Sequence, residues 1–110
     1  MASQRVAKIE SVIQAVVATE LVQLLDRDAA AVTVTRIDAA PDLRNATVWV
    51  GLLGSDAVQE RIWKRVEGLR HELQMALSAK MTTKFVPQLH LKRDSGGEYA
   101  AEIERLLRGL

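Results

Sequence analysis

Asn45-Ala46-Thr47-Val48-Trp49-Val50-Gly51-Leu52-Leu53 runs directly into Gly54-Ser55-Asp56. The first nine residues alternate, with Ala46, Val48, Val50 and Leu52 on one face and Thr47, Trp49 and Gly51 on the other, which is the period of a strand with one buried face. Gly54, Ser55 and Asp56 then break the strand and cap a helix. Beyond them Val58, Ile62, Val66, Leu69, Leu73, Ala76 and Leu77 recur at intervals of three and four. A long helical crossover joins strands that run parallel, because parallel neighbours cannot be linked by a tight turn. The returning strand is predicted over Phe85 to Arg93, with Pro87 near its start, where a missing amide donor is tolerable. Leu89 and Leu91 should face the core. The helical stripe carries through Gly68, and an interior glycine costs a helix roughly 1 kcal/mol relative to alanine. A kink or a close backbone approach is therefore expected there.

Upstream of this unit, Val32-Thr33-Val34-Thr35-Arg36-Ile37 alternates and is rich in β-branched residues, so it reads as a strand paired antiparallel with the one at Asn45. Between the two, Pro41 presets a turn dihedral and Asp42 can bond its own backbone. Before them, Val6, Ile9, Ile13, Val16, Val17 and Leu24 mark a long first helix ending near Leu25, with Ser3 available as its cap. Glu20 falls near the middle of that stripe, so the stripe is expected to drift or the helix end to be exposed. Asp26 to Ala31 is a short connection. Asp94 to Gly97 is a turn, and Tyr99, Ile103, Leu106, Leu107 and Leu110 fall on one side of a final helix. The predicted fold is α+β, helix-strand-strand-kinked helix-strand-helix, with the helices on one face of a three-stranded sheet. Trp49, Thr47, Gln88 and His90 are assigned to the other, at least partly wet, face.

The 110 residues suit one domain over 1–110. An apolar share of 48% and a charged share of 26% are globular values and exclude disorder. With no cysteine, disulfides, thiolate zinc sites and cysteine nucleophiles are excluded. No stretch approaches the roughly 20 apolar residues that span a bilayer, and Met1 to Lys8 lacks the features of a signal peptide. A cytoplasmic location without membrane association is expected. The two histidines, His71 and His90, lie on different elements, the serines lack a nucleophile-elbow context, and no glycine-rich phosphate loop is present. Acids cluster at Asp26 and Asp28, at Asp38 and Asp42, and at Glu98, Glu102 and Glu104, in loops or on an exposed helix. They read as solvated surface. Catalysis, metal binding, a cofactor and a small-molecule substrate are therefore not expected.

The distribution of charge is more informative than its total. The whole chain carries +1, yet Ala57 to Arg93 holds eight basic residues against three acids, or +5, and the remainder holds seven against eleven, or −4. Arg61, Lys64 and Arg65, spaced i, i+3 and i+4, fall along one helical flank. Such a row can meet phosphates together and bind them in a salt-sensitive, sequence-independent way. It can equally be a solvated flank paired locally with Glu60, Glu67 or Glu72. Trp49 is the one aromatic residue assigned to an outer strand face, and the paired strand aromatics of an RNA-recognition motif are missing.

The strand, loop and strand written Val32-Thr33-Val34-Thr35-Arg36-Ile37 and Pro41-Asp42-Leu43-Arg44-Asn45-Ala46-Thr47-Val48-Trp49-Val50 resemble those of bacterial ribosome-binding factor A. Gly68-Leu69-Arg70, Pro87-Gln88-Leu89-His90-Leu91 and Asp94 resemble that family's second half. The resemblance implies a type II KH-like fold, in which the glycine-rich nucleic-acid loop between two helices gives way to a kink carrying Ala-x-Gly. The matching positions here are Val66, Glu67 and Gly68, which keep the glycine and not the alanine. After the first helix the family commonly reads Asp-Pro-Arg, where this chain has Asp26-Arg27-Asp28. The resemblance further implies a non-enzymatic factor that binds the small (30S) ribosomal subunit and assists late maturation of its 16S rRNA, including adaptation to cold; the chain is expected to be monomeric. On charge and placement, and for Arg70 also on its place in the Gly68-Leu69-Arg70 motif, Arg61, Lys64, Arg65, Arg70, Lys80 and Lys84 are expected to contact ribosomal RNA phosphates, with Arg5 and Lys8 adding a second contact. The competing expectation is a protein-interaction or dimerisation module using the open sheet face around Trp49 and the edge of the third strand.

Overall fold

The computed structural model describes residues 3–94 and 108–109. Helix α1 spans Gln4–Leu25 and is followed by a 3-10 segment, Asp26–Ala31; strands β1, Val32–Ala39, and β2, Asn45–Leu52, come next. Helices α2, Asp56–Glu67, and α3, Arg70–Lys80, then lead to β3, Gln88–Asp94. The sheet order is β1-β2-β3, with β1 antiparallel to β2 and β2 parallel to β3, as the crossover length requires. The final helix expected around Tyr99 to Leu110 lies outside the described residues.

Both predicted serine caps form. Ser3 accepts from the Val6 amide at 3.1 Å and Ser55 from the Val58 amide at 3.3 Å. The buried line of α1 is Val6, Ile9, Ile13, Val17, Leu21 and Leu25. Its spacing is four residues after the first step, slightly more than one turn, so the line drifts around the helix and Glu20 is left half-buried at its margin. From Ile9 onward this line packs with Ile62 and Val66 of α2, Leu73 and Leu77 of α3, and the inward strand residues Ile37, Ala46, Val48, Val50 and Leu89.

Strand β1 departs from simple alternation. Val34 pairs with Val50 and Arg36 with Trp49, so Thr35 is an extra residue and forms a bulge. Strict alternation from Val32 would have aimed Arg36 into the core and Ile37 out of it. The bulge resets the phase, Ile37 is buried, and Arg36 joins Trp49 on the outer face. The Thr35 hydroxyl donates to the Trp49 carbonyl at 3.3 Å. Gly51 makes room for it, since a Cβ there would stand 2.9 Å from the Thr35 methyl.

Strand β3 begins three residues later than Phe85. Pro87 has no amide to give, and its carbonyl is taken by the Gln74 side chain of α3 at 2.9 Å. The ladder starts only where the Gln88 amide donates to the Arg44 carbonyl at 2.9 Å. Gln74 also accepts from the Leu89 amide at 2.8 Å, and Arg70 donates to the Leu89 carbonyl at 3.4 Å. Leu89 is buried as expected and Leu91 half-buried. In the β1–β2 loop, Asp42 accepts from the Arg44 amide at 3.1 Å, the turn foreseen after Pro41.

The kink is present, but glycine is not its cause. Gly68 has φ −67° and ψ −14°, ordinary right-handed values, and Leu69, at φ −94° and ψ 2°, carries the turn between the helices. The Leu69 amide reaches the Val66 carbonyl at 2.9 Å, so the backbone stays paired through the bend. A Cβ at Gly68 would lie 3.5 Å from the Arg65 carbonyl oxygen and 3.6 Å from that of Lys64, normal contact distances. Gly68→Ala should therefore keep the bend and stabilise the chain by about 0.4–1 kcal/mol in urea unfolding, through the smaller entropy of the unfolded chain. A loss of stability would show that the bend needs glycine.

Candidate nucleic-acid interface

Arg61, Lys64 and Arg65 do share the flank of α2, but two of the three are committed to the fold. Arg65 donates to the Leu25 carbonyl and the Leu24 carbonyl, both at 3.0 Å, and to Asp28 at 2.9 Å. Arg61 grips the same carboxylate at 3.1 and 3.3 Å. Asp28 is thus no solvated loop acid, and its side chain keeps only 17% exposure. Hydrogen bonds from Arg61, then from Arg65, hold its carboxyl below the ordinary carboxylate value, and the pairing raises the Arg61 pKa in turn. Arg93 is bonded to Glu60 at 2.9 Å and Gln59 at 3.0 Å. Arg70 is the residue bonded to Leu89. The row expected to be free for phosphate therefore reduces to Lys64, with the outward sides of Arg61 and Arg65.

The remaining cations converge elsewhere. Arg5 and Lys8, from the first turns of α1, line a depression of about 300 Å³ together with Lys80 and Met81 at the end of α3. An adjoining hollow of about 70 Å³ is lined by Arg5, Met81, Lys84, Phe85 and Pro87. Among the described residues none of these four cations is in an ion pair. Arg5 and Lys8 also sit at the positive end of the α1 dipole, with no acidic residue in the first turn, where a cation costs stability and an anion gains it. The structure thus joins the second contact expected from Arg5 and Lys8 to Lys80 and Lys84, and separates all four from Arg61 and Arg65.

The outer sheet face is less open than its sequence suggests. Trp49 does lie on it, but keeps only 7% exposure. The Arg36 guanidinium stands 5.2 Å and the Lys92 ammonium 5.5 Å from its ring centroid, and its Nε1 donates to Asp38 at 3.2 Å. Arg36 in turn pairs with Asp38 at 2.9 Å. His90 bonds Asn45 across the strands at 2.8 Å, and no group of acids and histidines able to hold a metal occurs among the described residues. What sequence reasoning missed is Phe85. Assigned to a strand, it lies in a loop with 72% exposure, and Pro87 two residues later was the available signal that strand pairing had not begun.

Residues 5–107 match the family described as Ribosome-binding factor A. The chain belongs to this family. It is similar to the ribosome-binding factor A of Chlorobaculum tepidum, 30% identical over 110 residues that cover 98% of this chain and 92% of that one. It is also similar to that of Thermomicrobium roseum, 36% identical over 77 residues; the match covers 70% of this chain and spans 60% of that relative's length. Among solved structures, a Thermotoga maritima protein described as a ribosome binding factor A superposes with a TM-score of 0.69 at 25% identity, covering 86% of this chain and 92% of that one. Ribosome-binding factor A from Thermus thermophilus, at 20% identity and a TM-score of 0.63, shares the fold over 80% of this chain and 93% of its own. The α+β, KH-like arrangement implied by the resemblance is the one observed, and Val66-Glu67-Gly68 lies at the α2–α3 bend.

Asp28 ties the segment after α1 to α2 through Arg61 and Arg65. Its depressed pKa stabilises the fold fully above the unfolded value, near 3.8, and that contribution is lost as pH falls through the lower folded value. Asp28→Asn should therefore lower the urea midpoint at pH 7, and the gap from the parent chain should close as the pH is taken below 3.8. A gap that is the same at pH 7 and at pH 2–3 would remove the charge from this account.

Proposed function

We propose that this chain is a non-catalytic assembly factor that binds the small (30S) ribosomal subunit in the cytoplasm and assists the late maturation of its 16S rRNA. Membership of the ribosome-binding factor A family supports a ribosomal partner. The observation that carries the mode of binding is the convergence of Arg5, Lys8, Lys80 and Lys84 on one end of the molecule, away from any carboxylate that pairs with them among the described residues. Four cations around shallow hollows suit a phosphate backbone, which binds by releasing condensed counterions. Lys64 and the outward sides of Arg61 and Arg65 form a weaker outer contact, since their inward sides serve α1 and Asp28. Arg70 bonds the Leu89 carbonyl at 3.4 Å but is otherwise exposed, and its free side is assigned to the same outer contact. The reading as a protein-interaction module is the weaker one, because the aromatic residue of its sheet face is covered by Arg36 and Lys92.

The test is co-sedimentation with purified small and large ribosomal subunits across a salt series. The parent chain should follow small subunits in preference to large ones. Replacing Arg5, Lys8, Lys80 and Lys84 together by alanine should weaken that binding and flatten the slope of log affinity against log salt by up to about 3, the loss expected for four phosphate contacts. An unchanged slope removes these four residues from the interface, and equal retention by large subunits removes the small-subunit assignment.

A further inference from the structure

The four-cation end of the molecule also carries an aromatic ring that the fold does not use. Phe85 is 72% exposed, while the residues on either side of its loop are held. The Met81 amide is bonded to Leu77 at 3.0 Å, Thr83 donates to the Phe85 carbonyl at 3.0 Å, and Pro87 is buried with its carbonyl on Gln74. The ring is therefore presented by an anchored backbone. Its neighbour Lys84 places an ammonium 5.5 Å from the ring centroid, and Arg5 lines the same hollow. A large apolar ring left in water beside cations has a chemical complement in an unpaired nucleobase, which offers a π face to the ring and a phosphate on each side to the lysines and arginine. A duplex cannot use the ring, because its base faces are stacked inside the helix. One acid, Asp42, also lines the hollow, but its carboxylate accepts from the Arg44 amide within its own loop.

We propose that Phe85 is a stacking platform for an unpaired base of single-stranded RNA, with Lys84 and Arg5 holding the adjoining phosphates and Lys8 and Lys80 extending the track. This rests on the reading of the same end as the RNA-binding surface and specifies the form of RNA it takes. It also divides the labour there. The cations supply salt-sensitive affinity, and the ring supplies a salt-insensitive preference for single strands.

The experiment measures fluorescence anisotropy of a short labelled oligoribonucleotide, single-stranded or annealed to its complement, alongside sedimentation with small subunits. Four proteins are compared: the parent chain, Phe85→Ala, Phe85→Tyr and the four-cation variant. The parent chain should prefer the single strand. Phe85→Ala should weaken single-strand binding about tenfold, within the range of one lost base stack, with the salt slope and duplex binding unchanged, and Phe85→Tyr should restore it. Phe85 is exposed and in a loop, so its variants should fold as the parent does, which circular dichroism checks. Single-strand binding by Phe85→Ala equal to that of the parent overturns the stacking platform while leaving the cation surface standing. Subunit binding lost by Phe85→Ala with single-strand binding intact also overturns it, and assigns the ring to a ribosomal protein. A parent chain that binds neither RNA nor small subunits overturns the underlying reading itself.

Discussion

The guanidinium of Arg65 closes the C-terminal end of α1. A helix leaves its last carbonyls without intrahelical partners, and here the chain turns away sharply at Asp26, whose φ of 53° and ψ of −115° end the helical path. Arg65, reaching across from α2, supplies donors to the carbonyls of Leu24 and Leu25 and to Asp28 in the segment that follows. A cation at this position also faces the negative end of the helix dipole. One side chain thus joins the end of the first helix, the 3-10 segment leading into β1, and the crossover helix. The same bonds explain why the most basic flank in the sequence is not the most available one.

The charge of the molecule is divided by task rather than by segment. The +5 stretch from Ala57 to Arg93 contains arginines that serve the fold: Arg61 and Arg65 on Asp28, Arg93 on Glu60, and Arg70 on a strand carbonyl. The lysines of the stretch all remain exposed, Lys84 beside the Phe85 ring and Lys92 beside that of Trp49. This follows from their chemistry. A planar guanidinium meets two or three fixed acceptors at once, whereas an ammonium is a strongly hydrated point charge on a flexible stem. Lys80 and Lys84 then combine with Arg5 and Lys8, which belong to the part of the chain whose net charge is negative. Neither the total of +1 nor the segmental split locates that cluster, because it is assembled by the packing of α1 against α3.

What the sequence made legible was periodic or local. The strand broken by Gly54, the stripe from Val58 to Leu77, the two serine caps and the Asp42 turn each depend on neighbours within a few residues, and together they led to the strand order and the parallel crossover. The bulge at Thr35 was also written there, since Val32 and Val34 and then Ile37 and Ala39 are out of phase, but it becomes visible only when Arg36 is refused a place in the core. The roles of Asp28 and Arg61 were not legible, because their contact spans 33 residues and has no local pattern. Phe85 was misplaced because β-propensity describes fit to a half-buried pleated surface, and this ring lies where no surface covers it.

Gln74 and Arg70 have a consequence for how the sheet ends. Among the described residues strand β3 is an edge strand, and edges offer unpaired donors and acceptors to any extended chain that approaches. At Leu89 both groups are spoken for: the amide donates to Gln74 and the carbonyl accepts from Arg70. An incoming strand would have to displace two side chains of α3 near the start of the ladder, at its second residue pair, before it could continue. The helix acts here as a stopper, so that the three-stranded sheet of the described residues does not invite a further strand at that point.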